Sequence, residues 1–355
     1  MNLPLSVLDL VPVVGTSEHP SGSGQALRHS LELVQLADRL GYTRYWFAEH
    51  HNMPTIASTT PEILIALAGE RTTRIRVGSG GVMLPNHSSL QVAETFKMLE
   101  ALHPGRVDLG IGRAPGTDTA TALALRGSRA ALSANDFPEQ LVDLLEFGGR
   151  GAPSRMAARA SQPGSVAAMP PDVKLPPIWL LGSSDFSAEL AALLGTGFGF
   201  AAHFSEYPPE GPMLAYREQF SPSPDLAQPH AILTLSVVCA PTQEEAERLI
   251  SSLLVAFARM RTGQTSLLLP PEEAMAYRFS QAERAVVETI RGRHIVGTPE
   301  SVRTQIESLA ARTHADEVMI STFIYGHEDR MRSYALLADA FDLPKNRGSG
   351  VSNAK

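Results

Sequence analysis

Cysteine is nearly absent from this 355-residue chain: Cys239 stands alone, which excludes a disulfide framework and a cysteine-based zinc cluster. Lysine is scarce as well, 4 residues against 26 arginines, a bias we read as the codon usage of a GC-rich genome and not as function. Positive charge is in deficit. The 30 Lys and Arg face 37 Asp and Glu, a net charge of −7, whereas gripping nucleic-acid phosphates needs a basic surplus. No apolar run approaches the roughly 18 residues that span a bilayer. The amino terminus lacks the basic flank of a signal peptide, so a cytoplasmic location is expected. What is present, 43% apolar and 19% charged residues, is an ordinary globular composition with ample material for a core.

The apolar pattern alternates between short β-branched runs and longer stretches of helical period. Strands are expected at Leu3–Leu10, Tyr42–Ala48, Ile75–Ser79, Arg106–Ile111, Ile178–Leu181, Phe198–Ala202, Ala231–Cys239 and Glu317–Ser321. Helical segments follow them, with Gly41 a C-cap, Thr60-Pro61-Glu62 a helix start and Thr242 with Glu245 a capping box. Eight strand–helix units suit a closed parallel barrel. An open doubly wound sheet usually carries a glycine fingerprint after its first strand, and none is present here. The expected fold is therefore an α/β TIM (β/α)8 barrel with excursions after strands four and seven, the second over residues 262–295. Residues 1–345 are read as one domain and 346–355 as a flexible tail.

A barrel of this kind places its chemistry at the carboxyl-terminal strand ends. Strand two is followed by Glu49-His50-His51; imidazole suits proton transfer near neutral pH, against the alternative that one ring packs and the other faces solvent. Metal binding is a weaker option, because adjacent side chains diverge and no matching ligand cluster follows. Strand three runs into Gly80 and Gly81, which leave bare backbone for a flat ligand or make an ordinary tight turn. Strand four delivers Arg113, a planar guanidinium suited to a phosphate or to a surface ion pair. Strand five runs through Gly182-Ser183-Ser184 into a helix, an anion site or simple N-capping.

The segments Glu49-His50-His51, Val77-Gly78-Ser79-Gly80-Gly81-Val82-Met83-Leu84-Pro85, Gly110-Ile111-Gly112-Arg113 and Leu181-Gly182-Ser183-Ser184 together resemble the bacterial luciferase-like flavin monooxygenase family, and the resemblance covers most of the chain in order. It implies a barrel that binds reduced FMN at its mouth, with FMN delivered by a separate NAD(P)H:flavin reductase. It implies proton chemistry at His50 supported by Glu49 or His51, and a non-proline cis peptide at Gly80–Gly81 beneath the flavin ring. Arg113, Gly182, Ser183 and Ser184 fall at its phosphate-binding positions. It also implies a homodimer through the second and third helices, which suits the small residues Ala66, Ala68 and Gly69, a lid over residues 262–295, and a small aromatic or polyketide substrate such as occurs in antibiotic pathways. No metal is implied. The luciferase catalytic subunit has a reactive cysteine where this chain has Gly112, so light emission is not implied. Two other readings stand beside this one: deazaflavin-dependent hydride transfer on the same barrel, and a flavin-binding protein without turnover.

Overall fold

A computed structural model of the chain describes residues 3–15, 22–114, 116–127, 136–150, 166–264 and 267–345. Ten strands run parallel: β1 (Leu5–Asp9), β2 (Arg44–Phe47), β3 (Arg76–Ser79), β4 (Val82–Met83), β5 (Val107–Gly112), β6 (Ile178–Gly182), β7 (Gly197–Ala201), β8 (Ala231–Cys239), β9 (His294–Gly297) and β10 (Glu317–Ser321). The ring β1-β2-β3-β5-β6-β7-β8-β10 closes on itself. Val7 of β1 registers with both Tyr45 and Ile320, and Met319 of β10 registers with Thr234 of β8. This is the expected eight-stranded barrel. The strands read as continuous apolar runs because both of their faces are covered.

Two short strands went unread in the sequence. β4 resumes the third stave beyond Gly80-Gly81 and pairs with β5. β9 lies outside the closed ring, paired only with the upper end of β8.

Twelve helices among the described residues wrap the barrel: α1 (Ser23–Leu40), α2 (Pro61–Arg71), α3 (Ser89–Leu102), α4 (Thr119–Arg126), α5 (Phe137–Phe147), α6 (Asp185–Leu194), α7 (Glu210–Glu218), α8 (Gln243–Arg261), α9 (Pro271–Ala276), α10 (Gln281–Arg291), α11 (Pro299–Thr313) and α12 (His327–Ala340). α1 turns Ala26, Leu33, Val34 and Ala37 inward and stops at Gly41, which has φ 95°. A Cβ there would meet Pro344 O at 2.7 Å, so glycine is required twice over.

The two expected excursions follow β5 and β8, the fourth and seventh staves. Most of the Pro/Ala-rich stretch 150–171 and the tail 346–355 fall outside the described residues. The second excursion is more regular than its Pro270-Pro271 pair suggests. Pro271 sits in the first turn of α9, and Ser280 with Glu283 forms a complete capping box that opens α10. At α8 only half of the expected box forms: Thr242 Oγ1 accepts from Glu245 N at 3.2 Å, but the Glu245 carboxylate turns to Arg248. Ala68 and Gly69 of α2 face inward, where a Cβ on Gly69 would strike the His103 ring at 2.3 Å. The exposed apolar residues of α2 and α3 are Ile63, Leu67, Met98 and Leu102.

The barrel interior is plugged by Leu8, Trp46, Trp179, Ile232 and Met319, with the two indoles meeting edge to face at 5.5 Å. Below them a charged floor is buried. Arg44 donates to Glu317 at 2.7 Å and to Asp108 at 2.8 Å, and Arg76 bonds the other Asp108 oxygen at 2.6 Å. Burial pushes the Glu317 carboxyl up, but Arg44 beside it outweighs that and holds it at about 2. The Arg44 guanidinium also stacks 4.6 Å from the Trp179 ring centroid. A network of this kind is costly to break on one side, because each remaining charge stays buried. Arg44→Met should therefore cost about 3–5 kcal/mol, read as a lower midpoint in urea unfolding; a loss under about 1 kcal/mol would show that the floor is not structural.

Candidate active site

The carboxyl ends of the strands carry one dense polar cluster. Glu49, just past β2, is fully buried. Its carboxylate takes a bond from His51 Nε2 at 2.9 Å, one from His87 Nε2 at 2.9 Å, and one from the Met83 backbone N–H at 2.9 Å. Burial pushes this carboxyl up, but the bonds from His87, Met83 and His51 prevail and hold it below the usual carboxylate range. The hydrogen bond to Glu49 raises the His87 pKa, against the opposing effect of burial. Glu49 thus pairs with His51 and His87; its contact with His50 is electrostatic only.

His50 points elsewhere. Its backbone N–H donates to Ser58 O at 3.0 Å, and its Nδ1 is buried with no hydrogen-bond partner among the described residues. Burial lowers its pKa to about 4, with His51 adding to the effect and Glu49 opposing it. Two further histidines share this environment. His203, the second residue after β7, is half-buried, and its Nδ1 is buried with no partner among the described residues; burial, His50 and His294 bring its pKa to about 3. His294, at the start of β9, bonds Ser236 Oγ at 2.7 Å and is lowered to about 4 by burial and by Arg291 and Arg293. All three rings are neutral at pH 7.

The glycine residues set close approaches. The Gly80–Gly81 peptide is cis, as the resemblance implies. A Cβ on Gly80 would meet Leu8 Cδ1 at 2.5 Å, one on Gly81 would meet Gly110 O at 2.8 Å, and one on Gly110 would meet Ser79 O at 2.1 Å. A side chain at Gly81 or Gly110 would prise the third and fourth staves apart, and one at Gly80 would strike the barrel's interior plug.

Across the mouth, the expected anion-binding residues come together. Arg113, just past β5, is exposed and lies 4.1 Å from the ring centroid of Phe186, in the first turn of α6. Ser184 is the N-cap of α6, yet its hydroxyl makes no capping bond. Ser183 O accepts from Ser205 Oγ at 3.1 Å. Gly182 packs directly on Ser187, where a Cβ would sit 2.4 Å from Ser187 Cβ, so its bare α-carbon lets β6 meet α6 closely.

His87, His203, His294 and Ser236 were missed in the sequence. Inspection of the strand ends beyond the fifth would have singled out His203, the second residue after β7. His87 carries no local signal, because only the barrel brings it to Glu49. Past the carboxyl ends of β1 and β10, His29, Glu32 and His327 place ligand atoms within 4.8 Å of one another. The rings of His29 and His327 are stacked at 3.9 Å and 4°, so their in-plane lone pairs do not converge on a shared ion.

A profile of the family described as luciferase-like monooxygenase matches residues 10–317. The luciferase-like monooxygenase of Escherichia coli (strain K12) is 40% identical over 336 residues, which cover 94% of this chain and 96% of that protein. Among solved structures, apo-MsnO8 superposes with a TM-score of 0.84 at 37% identity, covering 97% of this chain and 99% of the other. The oxygenating constituent of 3,6-diketocamphane monooxygenase from Pseudomonas putida, solved with FMN, shares the fold at a TM-score of 0.68 and 19% identity, with 97% and 99% covered. No helix among the described residues is long and apolar enough to cross a membrane.

The depressed histidines predict an acid-labile fold. Because unfolded histidines take protons near pH 6.5 and these rings do not, stability falls as pH drops from about 6.5 towards 4. Each ring should cost up to about 2 kcal/mol at pH 5. His203→Gln should accordingly flatten the fall in Tm between pH 7 and pH 5; an unchanged slope would mean that His203 is not held neutral.

Proposed function

The chain belongs to the luciferase-like monooxygenase family, and from that premise we propose that it is an FMN-dependent monooxygenase acting on a small organic substrate at the barrel mouth. Bound in its reduced form, FMN would supply the electrons that activate dioxygen. The observation that carries this reading is the pairing of an unengaged guanidinium with an uncapped helix start. Among the described residues Arg113 makes no ion pair and stacks on Phe186, in the first turn of α6, the helix whose N-cap Ser184 makes no capping bond. That set fits a phosphate. Asp185, in the same turn, is exposed, so water screens its opposing charge.

Gly80 and Gly81 would support the ring system with bare backbone. His50, neutral and with a buried Nδ1 that has no protein partner among the described residues, has a free position for holding or moving a proton. Glu49 and His51 would act behind it: the carboxylate fixes the His51 ring and ties β2 to β4. Residues 262–295, with helices α9 and α10, would cover the substrate. An aromatic or polyketide body for that substrate rests on the family resemblance alone. In this reading a separate NAD(P)H:flavin reductase supplies reduced FMN in transient contact, since no nicotinamide fingerprint follows β1. A homodimer through α2 and α3 is supported by their exposed Ile63, Leu67, Met98 and Leu102.

Arg113→Ala should weaken FMN binding by about 1.5–3 kcal/mol, the value of a charge-assisted hydrogen bond, in a fluorescence titration; an unchanged Kd would move the phosphate elsewhere. His50→Ala should keep its FMN affinity while oxygenated product forms more slowly with reduced FMN and dioxygen. Equal turnover would remove His50 from the chemistry. Tight binding of a deazaflavin in place of FMN would overturn the monooxygenase reading, as would failure to oxygenate any of a broad set of substrates.

A further inference from the structure

The helices that cover the mouth carry charge that the preceding reading does not use. Arg261 ends α8, and Arg293 lies between α10 and β9. Both guanidiniums converge on a single carboxylate, Glu206, at 3.8 and 3.9 Å. Neither distance is a direct hydrogen bond, and Glu206 is 67% exposed, so water screens its hold on both. Two positive charges against one negative leave one in excess. The neighbouring basic groups are already engaged: Arg291 pairs with Glu247, Arg259 has partners of its own, and His294 is neutral and bonded to Ser236.

Between the two arginines lies a pocket of about 20 Å³, walled by Phe204, Phe257 and Ile290 and closed at its inner end by His203 and His294. It holds one water at most as it stands. Phe204 is half exposed at its edge, so the pocket can widen without opening the core. Its polar features point to a ligand. Arg261 is only loosely engaged, Arg293 adds to its contact with Glu206 one bond from Nη1 to Phe204 O at 3.3 Å, and the buried Nδ1 of His203 has no protein partner among the described residues. His203, which lines the pocket, is close enough to His50 for their charges to interact.

We propose that Arg261 and Arg293 form an anion subsite that selects an organic carboxylate with an apolar body as substrate: the acid group displaces Glu206 from the guanidiniums, and the body lies against Phe204 and Phe257 towards His203. The identity of this ligand as the substrate rests on the monooxygenase reading; the binding itself does not. Glu206 then acts as a placeholder, keeping the arginines together when no acid is bound and competing with the acid for them.

The test is calorimetric titration of the full chain, with and without FMN, using straight-chain alkanoates from acetate to decanoate and 3-phenylpropionate, each beside its neutral amide. At least one acid should bind at least tenfold more tightly than its amide. Arg261→Gln and Arg293→Gln should each weaken that acid about tenfold. Glu206→Gln should tighten it severalfold, a gain that damage to the fold would not produce, and none of the three should alter FMN affinity. Acids that bind no better than their amides, or not at all, overturn the proposal, as does a Glu206→Gln variant that fails to bind more tightly. Loss of FMN affinity in the arginine variants would assign both guanidiniums to the flavin and also overturn it. Failure of the monooxygenase reading would look different: acid binding would persist while FMN binding proved absent or indifferent to Arg113.

Discussion

A carboxylate sealed from water must be neutralised or matched, and at Glu49 this chain matches it. Three donors from three stretches of chain converge on it: His51 from the same turn, Met83 N–H from β4 and His87 beyond it. The charge therefore acts as a staple between the second and third staves. Its requirement for partners fixes the direction of its neighbours. With Glu49 turned towards β4 and His51 drawn to it, His50 is left without a partner at Nδ1 among the described residues. The arrangement of the whole mouth follows from keeping one buried charge satisfied.

The mouth then divides into two electrostatic halves. Around His50, His203 and His294 the rings are neutral, because burial disfavours their charged forms. At the rim, Arg113 and Arg261 keep exposed positive charge, and the half-buried Arg293 adds to that of Arg261. A neutral centre between cationic rims suits a ligand with a flat uncharged middle and an anionic end, and a second anionic ligand beside it. The opposite end of the barrel is built on another principle. There Arg44, Arg76, Asp108 and Glu317 cancel one another beneath the tryptophan plug, which closes the floor and leaves only the top open to chemistry.

The fold was legible because periodicity reports burial. β8 and β10 match their expected bounds to the residue, and the other staves do so within two at each end, since strands covered on both faces appear as unbroken apolar runs. What escaped was structure with little apolar signature. β4 has two residues, and β9 follows an apparently irregular excursion. α10 buries only Glu283 and Ile290 and so carries little apolar signature, although its Ser280–Glu283 capping box is written in the sequence.

The sequence by itself determined the barrel, the positions of the strand ends and the placing of Glu49, His50, His51, Arg113 and Ser184 upon them, because chain alternation and strand polarity are local properties. Only the tertiary structure decided which of these side chains meet. Glu49 takes His87 from 38 positions along the chain, Arg113 lies on Phe186, and Arg261 and Arg293 share Glu206. The physical reason is that hydrogen bonds and ion pairs act over a few ångströms in space, and closing eight staves into a ring brings together residues whose separation in sequence carries no record of it.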